Sequence, residues 1–179
     1  MFANLATLAG HVEVHDDAIV GAFCTVHQFA RIGRHAYLGA YTVMSKDALP
    51  FVKTVGVKPA CYGINGIGLK RKGFSGAQVA RLGRAFRLLA RSGLNTRQAL
   101  ARMREELGGD PEVDHFIAFV EGSRRGVTKT VPRGMGRGAA DEEGGESGEG
   151  EPRGAGRVRE TGDAGNAGEE AVVEAGETR

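Results

Sequence analysis

The chain has 179 residues, with 24 lysines and arginines against 22 aspartates and glutamates, and 41% of its residues are hydrophobic. This length predicts one folded domain and part of a second. The sequence shows no signal peptide and no apolar run long enough to cross a bilayer, which predicts a cytoplasmic protein without membrane insertion. Cys24 and Cys61 offer neither a disulfide framework nor metal-ligand spacing, so we expect no metal and no cofactor.

A six-residue repeat dominates the first 50 residues. Large aliphatic side chains recur every six positions, and a compact side chain follows each of them four residues later. A β-strand alternates with period two and a helix repeats at about 3.6 residues, so neither element explains a period of six. Short strands separated by tight corners do, and they predict a parallel β-helix. The aliphatic positions are Leu8, Val14, Val20, Val26, Ile32, Leu38 and Met44, and the compact ones are Val12, Ala18, Cys24, Ala30, Ala36, Thr42 and Ala48.

A helical region follows the repeat. Three segments carry an apolar stripe at helical spacing, and a capping residue precedes each of them: Ser75, Asn95 and Asp110. These signals predict a β-helix over residues 1–50 and a helical domain over 51–126. Residues 127–179 hold few large apolar side chains, which predicts a disordered low-complexity tail without a function of its own.

Positive charge is concentrated in residues 51–100, which hold ten lysines and arginines and no acidic residue. Such a block attracts an anionic partner, and an acidic protein and a phosphorylated small molecule both fit. Nucleic acid is not expected, because aromatic stacking residues and a nucleic-acid motif are missing. A merely solvated helix face is the alternative.

Four stretches resemble the C-terminal half of one enzyme family. They are TLAGHVEV, TVHQFARIG, YGINGIGLKRKGF and SRRGV, and they occur in the order and at the spacing of the bacterial acyl-[acyl-carrier-protein]–UDP-N-acetylglucosamine O-acyltransferases. The related N-acyltransferases share the hexads but resemble the helical half less.

The resemblance implies a left-handed parallel β-helix followed by a C-terminal α-helical domain, assembled as a homotrimer with active sites between subunits. It implies transfer of a 3-hydroxyacyl chain from acyl carrier protein to the 3-hydroxyl of UDP-N-acetylglucosamine, the first step of lipid A biosynthesis. In the family a histidine is the general base and a backbone N–H stabilises the oxyanion.

The resemblance also assigns roles to matching residues. Gly10 carries the oxyanion N–H, and Ala40 lies where the family limits acyl-chain length. Arg71 and Lys72 fall near the nucleotide phosphates, although Lys72 stands where arginine is common and loses the bidentate fork. The substrate-binding residues are His11, His27, Gln28, Asn65, Arg71 and Lys72. The basic helix residues expected to dock the carrier protein are Arg81, Arg84, Arg87 and Arg91.

Some positions depart from the family. Lys58 stands where a histidine is frequent and Ile67 where a glutamate is frequent, which affects fine substrate preference. The family's general-base histidine belongs to the coil before AGHV, in sequence that would precede Met1. His15 and His35 are expected to be turn residues, with His15 exposed to solvent, and neither replaces that base. We therefore expect the chain as given to be N-terminally truncated and inactive.

Two other functions fit the scaffold. A trimeric zinc carbonic anhydrase would use three histidines at a subunit interface, and His11 and His27 have no matching third. A non-catalytic trimeric module would bind acyl carrier protein without performing chemistry.

Overall fold

Seven two-residue strands follow one another at intervals of six residues at the start of the chain. They are β1 Thr7–Leu8, β2 Glu13–Val14, β3 Ile19–Val20, β4 Thr25–Val26, β5 Arg31–Ile32, β6 Tyr37–Leu38 and β7 Val43–Met44. The computed structural model describes residues 1–132. Parallel pairing joins Thr7 to Thr25, Glu13 to Arg31 and Ile19 to Tyr37, so one coil takes 18 residues. The predicted parallel β-helix is therefore confirmed.

The coils form a prism with three faces and three corners. The faces are the sheets β1-β4-β7 and β2-β5 and a third sheet that begins with β3-β6. We name the corners by the residues between the strands. The first corner comprises residues 3–6, 21–24 and 39–42, the second 9–12, 27–30 and 45–48, and the third 15–18, 33–36 and 49–51.

Eight of the nine corner segments place one non-glycine residue in the left-handed backbone region, and segment 45–48 is the exception. Side chains there clash with the backbone, so single instances are uncommon. Here the conformation recurs from coil to coil, where backbone hydrogen bonds and stacked side chains hold it. The residues are Leu5, His11, Asp17, Phe23, Phe29, His35, Tyr41 and Phe51, with φ between 54° and 63°.

The predicted aliphatic positions fill the inside of the prism. Val20, Val26, Ile32, Leu38 and Met44 are at most 1% exposed, and they pack with the compact residues of the repeat. Cys24 is fully buried among them, as its place in the hexad predicts. The inward side chains of the first coil are more exposed than those of the later coils, and Leu8 and Val14 are half-buried.

The β-helix extends past the predicted boundary at residue 50. Strand β8, Val52–Val55, pairs in parallel with β6 and continues the third face. The pairing joins Tyr37 to Lys53, so the last coil is two residues shorter than the others. Strand β9, Ala60–Ile64, turns back antiparallel on β8 and ends the coil. The boundary predicted from the repeat is too early because β8 and β9 belong to the β-helix although their residues do not follow the six-residue pattern.

Four helices complete the described chain: α1 Gly66–Arg71, α2 Gly76–Ala90, α3 Thr96–Leu107 and α4 Pro111–Glu121. The three predicted helices are confirmed. Ser75 and Asn95 form capping boxes with glutamines three residues later, and Asp110 accepts bonds from the first turn of α4. The helices share a second apolar core with β8 and β9, built around Phe51, Leu82, Phe86, Met103 and Phe116.

The predicted start of the tail at residue 127 is wrong. Val127 forms a β-bridge with Asp47, and Thr128 is only 6% exposed. The Cys61 amide donates to the Thr130 carbonyl at 2.7 Å, and the Thr128 amide donates to the Asp47 carbonyl at 2.9 Å. Residues 127–130 thus belong to the fold. The prediction of disorder further along falls on residues 133–179, outside the described part.

Truncation tests this boundary. A chain ending at Pro132 should keep the melting temperature of the longer protein. A chain ending at Gly126 should lose about 2 kcal/mol of unfolding free energy, because about 1 kcal/mol accompanies each of the two lost backbone hydrogen bonds. Urea unfolding followed by circular dichroism measures both. Equal stability of the two truncated chains would show that residues 127–132 contribute nothing.

Candidate functional site

The second corner carries four of the predicted site residues. His11 lies in the left-handed conformation and stacks on Phe29 of the next coil, with ring centroids 4.9 Å apart. His27 and Gln28 are exposed on that same coil. The prediction that His11 and His27 lie on adjacent coils is therefore confirmed. His27 Nδ1 is 3.0 Å from the Gln28 carbonyl oxygen, so the ring is oriented when that nitrogen carries the proton.

Gly10 lies beside His11 with space around it. A Cβ at this position would have no heavy atom within 4 Å other than those of Gly10 and its two chain neighbours. Its carbonyl accepts a bond from the Phe29 amide, whereas its own N–H finds no backbone acceptor among residues 1–132. An exposed amide without an internal acceptor can donate to a developing negative charge.

The third corner carries a second group of candidates on α1. The Asn65 side chain caps α1 by accepting from the Gly68 amide, and its Nδ2 donates to the His35 carbonyl at 3.2 Å. Arg71 and Lys72 follow at the other end of this short helix, and both are exposed. Lys72 Nζ lies 2.6 Å from a carboxylate oxygen of Asp17.

The candidates do not converge within one chain. Ala40 is exposed at the first corner, next to Tyr41, while the histidines lie at the second corner and α1 at the third. Six residues separate neighbouring corners, so the groups are roughly 15–20 Å apart along the strands. The exposed side chains of Lys58 and Ile67, which depart from the family pattern, belong to the turn after β8 and to α1. The three groups of candidates therefore lie at three different corners of the prism.

Two arginines of α2 pair with acidic residues that lie beyond residue 100. Arg81 Nη1 lies 3.3 Å from Asp110, and Arg84 Nη2 lies 2.6 Å from Glu106, which also pairs with Arg102. These contacts offset part of the predicted positive field. Residues 81–110 still hold seven arginines against three acidic residues, so the surface remains basic.

The expectation that His15 is exposed to solvent is wrong. It is half-buried, and its ring packs edge-on against Phe119 of α4 at 5.5 Å. His35 occupies a turn as predicted but is only 5% exposed, between the rings of Phe51 and Phe74. Segments that follow the β-helix bury these two rings, because Phe119 of α4 packs on His15 and Phe74 packs on His35. The six-residue pattern does not show that these segments pack on the third corner.

Two histidines at this corner resist protonation. Burial is the main cause that lowers the pKa of His35, with Arg34 and Lys72 acting in the same direction and Asp17 and Glu112 opposing. Burial likewise lowers the pKa of His115 on α4, helped by Arg34 and His15 and opposed by Glu112. Both rings therefore stay neutral at pH values where an unfolded histidine is already protonated.

We expect the fold to weaken in mild acid. Below about pH 6.5 the unfolded chain binds protons that the native chain does not, so stability falls as the pH drops through 6.5 towards the folded pKa values. The melting temperature should be lower at pH 5.5 than at pH 7.5. Combining His35→Asn, which tolerates the left-handed backbone, with His115→Gln should shrink that difference, whereas His27→Gln, at an exposed ring, should not. An unchanged difference in the double variant would contradict this explanation.

Within residues 1–132, no helix combines the length and apolar character that a membrane span requires. A cleft lined by Leu89, Ala90, Gly93, Leu94 and residues 129–131 contains none of the candidate site residues. The fold and the placement of the candidates define a hexapeptide-repeat protein with a C-terminal helical region.

Comparison with known proteins finds similarity to one kind of enzyme. Residues 47–128 match the model described as UDP N-acetylglucosamine O-acyltransferase, domain 2. The acyl-[acyl-carrier-protein]–UDP-N-acetylglucosamine O-acyltransferases of Anaeromyxobacter sp. (strain K) and Alkalilimnicola ehrlichii are 39% and 42% identical over 129 and 128 residues, in each case 72% of this chain and 50% of the relative. The solved UDP-N-acetylglucosamine acyltransferase of Francisella novicida superposes with a TM-score of 0.69 at 31% identity, covering 74% of this chain and 48% of that one.

Over 72% of its length, the chain is similar to enzymes named UDP-N-acetylglucosamine O-acyltransferases. It spans about half the length of the relatives that it matches.

Proposed function

We propose that this chain provides the C-terminal half of an acyltransferase that moves a 3-hydroxyacyl chain from acyl carrier protein to the 3-hydroxyl of UDP-N-acetylglucosamine, the first step of lipid A biosynthesis, in the cytoplasm. The observation that carries the proposal is the identity of 39% over 129 residues to a relative named for this reaction. The matched family model covers residues 47–128, which include α1 and α2.

The second corner would hold the reacting groups. His11, His27 and Gln28 would hold the substrates through their exposed polar atoms, and the Gly10 amide would donate to the oxyanion formed when the sugar hydroxyl attacks the thioester. The open space around Gly10 and its amide without an internal acceptor support that role. We assign the general base to no histidine of residues 1–132, because the proposal gives His11 and His27 to substrate binding, and the rings of His15, His35 and His115 pack against phenylalanines.

Asn65, Arg71 and Lys72 would bind the nucleotide. The two cations suit the diphosphate of UDP, and their location on an exposed segment leaves them accessible. Ala40 would face the acyl chain and limit its length. Because these groups lie at three different corners, the complete site would form where a corner of one subunit meets another corner of its neighbour.

Exposed apolar side chains support assembly as a homotrimer. Leu5, Phe23 and Tyr41 form a column along the first corner, with the last two rings stacked at 5.0 Å. They are 69%, 46% and 61% exposed, and Phe29 at the second corner is 54% exposed. Large apolar side chains arranged in columns mark a surface that another protein covers. A second and third copy of this β-helix would cover these columns.

Binding of acyl carrier protein tests the proposal. The carrier is acidic, so the arginine face of α2 should bind it, and the affinity should fall at least about tenfold between 50 and 200 mM salt because exposed charges are screened. Combining Arg84→Glu with Arg87→Glu should abolish binding measured by titration calorimetry. The matched control, Arg97→Glu with Arg124→Glu, changes the net charge equally at exposed arginines outside α2 and should bind nearly as well. Equal losses in both double variants, or binding insensitive to salt, would contradict docking on α2.

A further inference from the structure

The left-handed residues of the third corner form a ladder that runs along the β-helix axis. Asp17, His35 and Phe51 occupy equivalent positions in successive coils, with φ of 57°, 54° and 63°. The rings of His35 and Phe51 lie 5.8 Å apart, and His35 Nε2 lies 3.9 Å from an Asp17 carboxylate oxygen. Unlike the columns at the other two corners, this ladder is largely covered by the chain that follows the β-helix.

The segment 65–74 contacts all three members of the ladder. The Asn65 amide donates to the Phe51 carbonyl at 2.7 Å, and the Asn65 side chain donates to the His35 carbonyl. At the other end, Lys72 pairs with Asp17, and the Phe74 ring packs edge-on against His35 at 5.1 Å. Both ends of α1 are thereby fixed on the same ladder.

Helix α1 needs this support. It has six residues, two of which are glycine, and such a short helix is not stable by itself. Leu69 is its one buried residue. The contacts at its two ends therefore determine where the exposed side chains of Arg71 and Lys72 are held.

The charges around Asp17 favour the ionised form of its carboxyl group. The hydrogen bond from Lys72 is the main cause that lowers the pKa of the Asp17 carboxyl, and the positive charges of Lys72, His35 when protonated, and Arg34 act in the same direction. The side chain of Asp17 is 37% exposed and that of Lys72 is 56% exposed, so water and ligands can reach both. Without Asp17, the long lysine side chain would sample many rotamers.

We propose that Asp17 is a positioning residue for nucleotide binding: it holds Lys72, and with it the C-terminal end of α1, in the orientation that presents the two cations to the diphosphate. This inference rests on the proposed function of Arg71 and Lys72. It adds a residue of the β-helix, 55 positions away in the sequence, to the determinants of substrate affinity.

The test compares Asp17→Asn with Asp16→Asn in the full chain. Asparagine keeps the size of aspartate and tolerates the left-handed backbone, so Asp17→Asn removes the charge with little strain. Asp16 is an exposed neighbour, so the control removes the same charge one position away. Hydrogen exchange of residues 66–74, followed by mass spectrometry, should accelerate in Asp17→Asn and remain unchanged in Asp16→Asn and in the peptides of α2.

Affinity for UDP-N-acetylglucosamine gives the second readout. Asp17→Asn should weaken binding roughly fivefold, the size of effect expected for an exposed ion pair. In a Lys72→Gln background the same substitution should have no further effect, because Asp17 acts through Lys72. Additive losses in the double variant, or exchange in residues 66–74 that does not respond to Asp17→Asn, would overturn the proposal. If the unmodified chain fails to bind the nucleotide sugar, the proposed function of this chain is contradicted, and hydrogen exchange still decides the role of Asp17 in holding α1.

Discussion

Replacing Asp47 with alanine should lower the free energy of unfolding by about 3–5 kcal/mol, since removing one member of a buried ion pair leaves the other unpaired. The Asp47 carboxylate is 1% exposed and accepts hydrogen bonds from the Arg31 amide at 2.9 Å, from Arg31 Nε at 3.1 Å and from the Ser123 hydroxyl at 2.7 Å. Arg31 in turn donates to the Phe119 carbonyl and lies over the Phe119 ring. This one carboxylate joins the last coil of the β-helix to α4 and to the segment that follows α4.

Urea unfolding at pH 7.5 measures this loss. Asp47→Asn keeps one acceptor oxygen and should destabilise the protein less than Asp47→Ala. The exposed neighbour provides the control, because Lys46→Ala should change stability by no more than about 0.5 kcal/mol, as is usual for surface positions. An Asp47→Ala protein within about 1 kcal/mol of the unmodified chain would show that the network is not a main link between the β-helix and the helices.

Replacing Ala40 with methionine should have the second large effect, a change in which acyl donors the enzyme accepts. The measurement uses a chimera in which residues 1–132 replace the corresponding half of the Anaeromyxobacter relative. Methionine at position 40 adds three heavy atoms, which should exclude about three carbons of the acyl chain from the site. At about 0.8 kcal/mol per buried methylene, kcat/KM for the longest accepted donor should fall about fiftyfold while shorter donors are spared.

A matched substitution separates this effect from general damage. Ala101 is exposed on α3, so Ala101→Met should leave the preference for donor length unchanged. A uniform fall in kcat/KM across all donors in Ala40→Met would indicate damage to the fold. An unchanged profile would place the limit on chain length elsewhere, for example at Lys58.

Periodic and local signals made most of the fold predictable. The period of six specifies coils because every hexad repeats the same burial, and helix caps specify α2, α3 and α4 because they depend on neighbouring residues. The shortened last coil, the β8–β9 hairpin and the pairing of residues 127–130 were not predictable. The shortened coil and the pairing of residues 127–130 depend on partners distant in sequence, such as Thr130 for Cys61. The β8–β9 hairpin is local, but its register shifts between Lys53 and Thr54, which breaks the alternation that would reveal a hairpin.

The candidate site, like the fold, was predictable from the sequence only in part. Matching motifs identified His11, His27 and the α1 residues, and the repeat alone placed the two histidines on adjacent coils. Sequence could not show that Arg81 and Arg84 meet acidic residues of the following helices, or that Lys72 meets Asp17. These pairs join residues 22–55 positions apart, and only the packing of α2, α3, α4 and the third corner brings them together.

The most direct test of the proposed function is acyl transfer by the chimera. The protein should first be shown to be a folded trimer by circular dichroism and light scattering. It should then convert UDP-N-acetylglucosamine and a 3-hydroxyacyl carrier protein to the 3-O-acyl product, detected by mass spectrometry, and His11→Ala and Arg71→Ala should each reduce kcat/KM. A folded, trimeric chimera that binds both substrates but forms no product would contradict the account, and so would turnover insensitive to both substitutions.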